Sequence, residues 1–372
     1  MALYVHWPFC VSKCPYCDFN SHVRASIDQD EWHEALLADL AHEARLLPGR
    51  RLTSIFFGGG TPSLMEPATI AALIEAACRH WAPASDIEFT LEANPNSAEA
   101  ERFADLAAAG VNRLSLGIQS LRDEDLRFLG RAHSAREALD ALVAAQGSFG
   151  RVSFDLIYGL PGQTRESWAP MLRRAIGYGT GHLSLYQLTI EPGTRFAALH
   201  SAGKFEPLDS DTAADLYEIT AGMTAACGIP AYEISNHARP GEESRHNLTY
   251  WRYGDYAGIG PGAHGRRLGM RTVRHKKPEN FLSALRRNGQ AIAEEAALSP
   301  REAADEALVM GLRLTEGIDV KALERRFGLP VVDWDRVDRI AASGQLDSDG
   351  GRIALTPAGR LVLDRILAEI AA

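Results

Sequence analysis

The first half of the chain alternates short apolar or β-branched runs with longer segments of helical periodicity. Residues 30–47 place Trp32, Leu36 and Leu40 on one helical face, and residues 66–81 have the same period. The short runs are typical of buried strands because each is bounded by turn residues or by a helical segment. The six predicted strands are 3–7, 54–57, 87–93, 113–118, 151–158 and 182–190.

Polar residues that favour helix N-termini precede two further periodic segments. These are Asn96 and Ser97 before residues 98–108, and Thr164 before residues 165–178. Strands that alternate with helices imply a parallel sheet with right-handed crossovers. Eight such units are not visible, so we expect an α/β fold with an incomplete (β/α) barrel. In barrels of this kind the functional groups lie at the C-terminal ends of the strands.

From about residue 290 onward, compact helices replace this alternation. A hairpin is expected around residues 349–351, and Thr356 and Pro357 precede a last helix. This order is similar to a small winged-helix domain. Such domains often bind DNA, but residues 298–372 hold ten Lys or Arg against thirteen Asp or Glu, so a lid or a docking surface is the better interpretation. The three helices before the hairpin are predicted over 300–313, 318–327 and 333–342.

The changes of pattern divide the chain into three parts. Residues 1–230 are expected to form the barrel, and residues 291–372 the small C-terminal domain. Residues 231–290, which are rich in glycine, aromatic residues and histidine near their start, are expected to connect the two.

Composition and charge narrow the classes of partner. The formal net charge is −9, without a lysine- or arginine-rich block, so nucleic acid is not an expected partner. No apolar stretch is long enough to span a bilayer. Met1 leads directly into a strand, without the basic segment of a signal peptide. We therefore expect a cytoplasmic protein whose cysteines stay reduced.

Three of the five cysteines, Cys10, Cys14 and Cys17, lie on one loop just after the first strand. A four-iron four-sulfur cluster has four iron corners, and proteins usually bind each of them with a thiolate. Three thiolates leave one iron open, and an open position makes a metal site reactive. A zinc site completed by His6 or His22 is the alternative, although structural zinc favours paired Cys-x-x-Cys motifs.

The predicted strands that come after the cysteine loop end in polar residues or in glycine. A polar residue at the end of a buried strand needs a partner, so a series of them favours a shared ligand. Taken alone, the glycine run would be interpreted as a turn. The acidic residue that ends strand three would be interpreted as a favourable charge at the N-terminus of the following helix. The residues in question are Gly59, Gly60 and Thr61 after strand two, Glu92 in strand three, Gln119 at the end of strand four, Arg131 in the loop that follows, and Asp155 in strand five.

The motif C-x-x-x-C-x-aromatic-C, with Tyr16 as the aromatic residue, resembles the signature of the radical S-adenosylmethionine (SAM) superfamily. The resemblance implies that Cys10, Cys14 and Cys17 hold a [4Fe–4S] cluster whose open iron chelates SAM. It also implies that an electron from the cluster can cleave SAM to a 5′-deoxyadenosyl radical; whether SAM is cleaved in turnover stays open.

The segment from Tyr4 to Cys10, together with the strand-end residues above, is similar to one branch of this superfamily. The branch contains the oxygen-independent coproporphyrinogen III oxidases (HemN) and the HemW family of haem chaperones. The resemblance implies that Tyr4, Gly59 and Glu92 contact the cluster-bound SAM. It implies that the adjoining part of the pocket, which holds a second SAM in the oxidase, is lined by Tyr16, Gly60, Thr61, Gln119, Arg131 and Asp155.

A string of polar and aromatic residues, H-N-x-x-Y-W, resembles the haem-binding motif of the HemW family. Imidazole is a common axial ligand of haem iron, and aromatic rings can cover a porphyrin face. The alternative is that the histidine and the aromatic rings pack this segment onto the barrel. The motif residues are His246, Asn247, Tyr250 and Trp251. The glycine-rich segment 258–265 imitates a dinucleotide fingerprint, but Pro261 interrupts it, and we expect a loop that closes over the SAM site.

The resemblance leaves two functions to compare. A haem chaperone would bind haem and transfer it to client haem proteins, including respiratory ones, with peripheral contact to a membrane during delivery. An oxidase would decarboxylate coproporphyrinogen by radical chemistry. Phe19 stands where the oxidases carry a further cysteine, and their N-terminal extension is missing, so the chaperone is favoured. An electron donor for the cluster and a homodimer are further expectations.

Overall fold

The computed structural model describes residues 1–372. Most strands are short, and the six that form the barrel are among the longest. The strands are β1 (Ala2–Trp7), β2 (Phe9–Cys10), β3 (His22–Val23), β4 (Arg51–Gly59), β5 (Ala82–Ala93), β6 (Arg113–Gln119), β7 (Arg151–Tyr158), β8 (His182–Gln187), β9 (Asn236–Ala238), β10 (Tyr256–Ile259), β11 (His264–Arg267), β12 (Met270–Arg274), β13 (Ile292–Ala297), β14 (Ile318–Asp319), β15 (Leu346–Asp349) and β16 (Arg352–Leu355).

Helices connect these strands, and side-chain caps begin several of them. Ser134 and Ser299 each form a reciprocal capping box with the glutamate three residues later. The helices are α1 (Gln29–Leu46), α2 (Pro67–His80), α3 (Ser97–Ala100), α4 (Phe103–Ala108), α5 (Asp123–Phe128), α6 (Ala135–Ser148), α7 (Arg165–Gly177), α8 (Arg195–Ser201), α9 (Ser210–Ala226), α10 (Arg245–Trp251), α11 (Pro278–Asn288), α12 (Pro300–Gly311), α13 (Val320–Phe327), α14 (Trp334–Ala342), α15 (Pro357–Arg360) and α16 (Leu363–Ile370).

One sheet of eleven strands organises the molecule, in the order β13-β12-β11-β10-β1-β4-β5-β6-β7-β8-β9. Strands β1 and β4 to β8 are parallel neighbours, which confirms the incomplete (β/α) barrel. Strand β10 adds to β1 in parallel, and β11, β12 and β13 continue the sheet in antiparallel order. The segment between the predicted domains therefore contributes strands to the same sheet.

The two faces of the barrel strands differ in chemistry. Leu3, Val5, Ile55 and Phe57 are fully buried in the main core, which contains 50 buried residues. Side chains of the other face point into the barrel, and many of them are polar, such as Ser54 on β4. A polar interior in an otherwise apolar sheet is a place where a polar ligand can be bound.

The C-terminal helices and a second sheet, in the order β14-β16-β15, form a separate core of 18 buried residues. This arrangement of helices and a hairpin confirms the winged-helix-like prediction. Tyr253, which follows α10, is part of this core, and Arg313 stacks 4.6 Å from the Trp251 ring. The small domain therefore packs against the segment that carries the H-N-x-x-Y-W motif.

Some boundaries differ from the sequence predictions. The helix expected over 98–108 is two short helices, α3 and α4, which separate at Glu101 and Arg102, where the side chain of Arg102 donates to the carbonyls of Ser63 and Met65. Strand β8 ends at Gln187 rather than at residue 190, and the Gln187 side chain donates from Nε2 to the Ala213 carbonyl. No helix has the length and apolar character that crossing a bilayer requires.

Candidate functional site

The cysteine loop leaves the barrel at the C-terminal end of β1 and returns through β3, which pairs with β2. Cys10, Cys14 and Cys17 are partly exposed, and all three line one cavity of about 460 Å³. The cavity lies at the C-terminal ends of the barrel strands, as the barrel rule predicts. It brings together eleven predicted residues: Cys10, Cys14, Tyr16, Cys17, Gly59, Gly60, Thr61, Glu92, Gln119, Arg131 and Asp155.

Polar groups approach two of the thiols. Thr61 Oγ1 lies 3.4 Å from Cys10 Sγ, and Arg131 Nη1 lies 3.4 Å from Cys14 Sγ. Two acceptors fix the Arg131 guanidinium, Asn94 Oδ1 at 2.6 Å and the Gly117 carbonyl at 2.9 Å. Burial raises the pKa of the Cys10 thiol. A cation beside the loop offsets the negative charge that thiolate ligands bring.

Glycine is required where strand β4 meets the cysteine loop. Gly59 has a φ of 111°, and a Cβ atom there would lie 2.7 Å from the His6 ring. A Cβ atom on Gly60 would lie 2.5 Å from the Phe9 carbonyl oxygen. The backbone of the glycine run therefore lies directly against the start of the cysteine loop, which no side chain would allow.

Two carboxyl groups lie inside the barrel below the cavity mouth. Burial, reinforced by the charge of Asp155, raises the pKa of Glu92 to about 8. Burial also raises the pKa of Asp155 to about 6, although Ser184 and Ser115 hydrogen-bond to it. Buried carboxyls without a fully compensating cation are stabilised by a positively charged ligand, and SAM carries an ammonium and a sulfonium group.

Gln119 also indicates that a ligand binds in this cavity. Its backbone has a φ of 71°, in the left-handed region that non-glycine residues rarely adopt. Its Oε1 atom is buried without a hydrogen-bond partner. Strain and an unpaired acceptor at the end of β6 are typical of a ligand site. These residues fit a cluster with SAM. No three His, Cys, Asp or Glu side chains, the three cysteines included, converge closely enough to hold a single metal ion in this conformation.

Tyr4 is placed differently from the other residues expected at SAM. It does not line the cavity, and its hydroxyl lies 3.0 Å from His6 Nδ1. Its ring lies 6.3 Å from Phe56 and 6.2 Å from His246, measured between centroids. Tyr4 therefore lies between the cavity and the H-N-x-x-Y-W motif.

The motif itself lies at the other end of the barrel, on α10. The backbone N–H groups of Arg245 and His246 donate to Glu88, which precedes Glu92 by four residues on β5, about 13 Å along a strand. The His246 ring is buried, with Nδ1 at 3.2 Å from Ser54 Oγ. Burial lowers its pKa to about 4.

The remaining motif residues also pack inward. The Tyr250 ring lies 5.9 Å from His246 and 4.6 Å from Trp251. Trp251 Nε1 is buried without a partner, and Asn247 is half-buried. In this conformation the motif closes the N-terminal end of the barrel, and it is separate from the cavity that the cysteines line.

Asn20 is a site residue that the sequence reasoning missed. Its Nδ2 donates to the carbonyls of Pro261 and Lys276, each at 2.9 Å, and its own carbonyl oxygen lies 2.9 Å from His6 Nε2. A Cβ atom on Gly262 would lie 2.5 Å from Asn20 Nδ2. The glycine-rich segment therefore supports the cysteine loop from behind. The expectation that it closes over the SAM site was wrong, because none of its residues lines the cavity.

Buried ion pairs hold this glycine-rich segment in place. The Gly260 N–H donates to Asp39 at 3.0 Å. Arg274 bridges Asp39 at 3.1 Å and Glu43 at 2.7 Å, and all three side chains are fully buried. These buried ion pairs are hard to predict from the sequence, because Asp39 and Glu43 have the four-residue spacing of an ordinary exposed helix face.

Comparison with known proteins points to the same superfamily as the residues that line the cavity. Residues 4–175 match the Radical SAM superfamily, and residues 298–362 match the HemN C-terminal domain. The radical S-adenosyl methionine domain-containing protein 1, mitochondrial, of Mus musculus is 40% identical over 98% of this chain and 86% of its own length. The heme chaperone HemW of Escherichia coli is 38% identical over 99% of this chain and 97% of its own length.

A solved structure has the same architecture. The coproporphyrinogen III oxidase HemN from Escherichia coli, described as a radical SAM enzyme, superposes with a TM-score of 0.83 at 25% identity. The superposition covers 99% of this chain and 89% of HemN. Since the similarity to HemW extends over nearly the whole of both chains and both matched domains are present, the chain belongs to the HemW family of radical SAM proteins.

Proposed function

We propose that this protein is a haem chaperone, which binds haem and transfers it to client haem proteins. The observation that carries the proposal is the similarity to the heme chaperone HemW of Escherichia coli along almost the entire chain. The clients would include respiratory haem proteins, some of them reached at a membrane surface from the cytoplasm. A homodimer is compatible with this role and is part of the proposal.

In this proposal Cys10, Cys14 and Cys17 hold a [4Fe–4S] cluster. Its chemistry, when bound, is to coordinate SAM at the open iron and to supply one electron to it. The chain's own residues orient the cofactor. Glu92 and Asp155 offer carboxylates to its positive groups, and the Gln119 side-chain oxygen accepts a hydrogen bond that is otherwise unmade. The remaining SAM contacts are assigned to Tyr16, Gly59, Gly60, Thr61 and Arg131. A contact of Tyr4, which does not line the cavity, stays a prediction from the family resemblance.

We assign haem binding to the segment that contains His246, Asn247, Tyr250 and Trp251. Because the His246 ring is buried, with Nδ1 beside the Ser54 hydroxyl, the ring must become accessible before its Nε2 can reach an iron atom. The small C-terminal domain packs on the same segment through Trp251 and Arg313. Haem loading would therefore require α10 and the small domain to move away from the barrel end.

A radical decarboxylase is the second candidate, because the fold superposes on a coproporphyrinogen III oxidase. The side chain of Phe19, at the position of a further cysteine in the oxidases, is 60% exposed beside the cysteine loop and offers no thiol. The experiment is product analysis of the reconstituted protein with SAM, a reductant and coproporphyrinogen. We expect no decarboxylated porphyrin. Stoichiometric 5′-deoxyadenosine, methionine and decarboxylated porphyrin would overturn the chaperone proposal.

A further inference from the structure

One asparagine side chain holds both of the groups that donate to the thiols. The hydroxyl of Thr61 lies 3.4 Å from Cys10 Sγ. The guanidinium of Arg131 lies 3.4 Å from Cys14 Sγ. Asn94, which follows β5, has its Nδ2 atom 3.1 Å from Thr61 Oγ1 and its Oδ1 atom 2.6 Å from Arg131 Nη2. A single amide therefore connects the donors of two different cysteines.

The direction of each hydrogen bond in this chain follows from the chemistry of the partners. A guanidinium only donates, so the Arg131 side chain fixes the Asn94 oxygen on its own side and the NH₂ group on the side of Thr61. The Thr61 hydroxyl accepts from that NH₂ group, and its only hydrogen is left for Cys10 Sγ. The amide thus makes the hydroxyl a donor to sulfur.

The Arg131 guanidinium needs a negative partner that its other contacts do not provide. It is partly buried, and it donates to two neutral oxygens, Asn94 Oδ1 and the Gly117 carbonyl. A cation that has lost part of its hydration is stabilised by a nearby anion. The thiolate of Cys14, which Arg131 Nη1 approaches, supplies that charge.

Asn94 is itself fixed by a buried carboxylate. Its backbone N–H donates to Glu99 Oε2 at 2.8 Å, and Glu99 is 4% exposed. Glu99 also accepts from the Ser63 hydroxyl and from Asn96 Nδ2. A polar network whose members all have partners holds each of them in one arrangement. The amide is therefore in place before any cofactor binds.

We propose that Asn94 is a positioning residue for the proposed [4Fe–4S] cluster. It directs the Thr61 hydroxyl and the Arg131 guanidinium onto two thiolate ligands, and it thereby raises the reduction potential of the cluster. The proposal rests on the proposed function, in which Cys10 and Cys14 are cluster ligands. Reduction of [4Fe–4S]²⁺ to [4Fe–4S]⁺ adds one electron from an external reductant; no bond forms or breaks and no proton is transferred. Donors to the thiolate sulfurs stabilise the more negative, reduced form.

The test is a redox titration of the reconstituted full chain, followed by electron paramagnetic resonance (EPR), with dithionite and mediators and without SAM. Leaving out SAM separates the effect on the thiolates from the SAM contacts assigned to Thr61 and Arg131. Thr61→Val removes the donor at nearly constant shape, and Thr61→Ser keeps it. Thr69→Val is the matched control, because Thr69 is 4% exposed against 3% for Thr61 and its hydroxyl bonds to His33 rather than to a cysteine.

Asn94→Asp tests the amide itself. An aspartate has nearly the same shape but accepts on both sides, so the Thr61 hydrogen turns from Cys10 to the new carboxylate, which also attracts Arg131. Asn96→Asp is the control for the added negative charge. Asn96 lines the same cavity, and an aspartate there can still cap α3.

We expect Thr61→Val to shift the one-electron equilibrium about tenfold towards the oxidised cluster, which is about 59 mV in reduction potential. Asn94→Asp should lower the potential at least as far, while Thr61→Ser, Thr69→Val and Asn96→Asp should stay near the parent. Iron and sulfide contents show that the compared proteins hold equal amounts of cluster. The positioning role is overturned if Thr61→Val matches the parent, or if Asn94→Asp shifts the potential no further than Asn96→Asp. A parent without the EPR signal of a reduced cluster would overturn the cluster assignment itself, and the positioning role with it.

Discussion

Glu92 and Asp155 are buried acids whose pKa values lie above their ordinary range, Glu92 at about 8 and Asp155 at about 6. A carboxyl that binds its proton more tightly in the folded than in the unfolded chain stabilises the fold fully below its unfolded pKa, and this stabilisation is lost as the pH rises through the folded pKa. For Glu92 the window runs from about 4.5 to about 8. Two such acids that line one buried cavity destabilise the folded state when both are ionised, unless a cation binds between them.

We therefore predict that Glu92→Gln flattens the fall in stability of the cluster-free protein between pH 4.5 and 8. Above pH 8 the variant should be at least as stable as the parent, although it should bind SAM more weakly. Thermal unfolding as a function of pH measures the effect. The exposed Glu101→Gln is the control and should follow the parent. A variant that is less stable than the parent at every pH would contradict the prediction.

The strand-end residues could be predicted from the sequence, because a polar residue that ends a buried strand has few structural uses. Gln119 and Asp155 illustrate this, and both lie in the cavity. Asn20 could not be predicted in this way. Its role depends on carbonyls of Pro261 and Lys276, which are about 240 and 256 positions away and approach it only in the folded sheet.

At the scale of elements, the glycine-rich segment shows how one loop can position another. Gly262 has a φ of 80° and lies against Asn20, whereas Gly269, with a φ of 75°, has open space around its α-carbon. An alanine at either position has the same unfavourable backbone conformation, which costs roughly 1–2 kcal/mol. At Gly262 alone it would also push Asn20 away from the loop.

Gly262→Ala should therefore lower both stability and cluster retention, while Gly269→Ala should lower stability only. The measurement is the iron and sulfide content after anaerobic reconstitution and gel filtration, with unfolding in urea alongside. If the two variants retain the same amount of iron, the glycine-rich segment does not support the cysteine loop.

Helix α10 is held at the barrel end by one buried carboxylate. Glu88 lies 2.7 Å from Arg151 Nη1 and also accepts from two backbone N–H groups of α10. Removing one partner of a buried pair costs about 3–5 kcal/mol where it leaves an uncompensated charge. Arg151 keeps its pair with Glu242 at 2.9 Å, so we expect a smaller cost for Glu88, roughly 1–3 kcal/mol for the buried donors left without their acceptor. The pair of Arg245 with Asp86 is far more exposed. Such surface pairs contribute about 0–1 kcal/mol.

We predict that Glu88→Gln destabilises the protein several times more than Asp86→Asn does. It should also increase hydrogen exchange of the amides in α10, because their acceptor is weakened. Urea unfolding and exchange measured by mass spectrometry test the two parts. Equal effects of the two substitutions would show that Glu88 does not anchor the helix.

For the whole molecule, the alternation of strands and helices was sufficient to predict an incomplete barrel, and the change of pattern near residue 290 predicted a small C-terminal domain. Strand β13 (Ile292–Ala297) still belongs to the barrel sheet. The sequence did not show that β10 to β13 extend the barrel sheet, because these strands are short and join the barrel only through the pairing of β10 with β1, about 250 positions away in the chain. That the H-N-x-x-Y-W motif packs onto the barrel was the alternative left open by the sequence, and the structure has the His246 ring buried there. The motif that resembles a set of haem ligands is therefore, in this conformation, also part of the packing at the barrel end.

This double role makes haem retention the most direct test of the central claim. The parent, His246→Ala and His237→Ala would each be loaded with haem anaerobically and passed over gel filtration. His237 is the matched control, since it is equally buried, bonds a hydroxyl of Thr224 at 2.9 Å and lies outside the motif. We expect a Soret band in the parent and in His237→Ala, and its loss in His246→Ala. Loss in neither variant, or no haem in the parent, would contradict the assignment of His246 or the chaperone function itself.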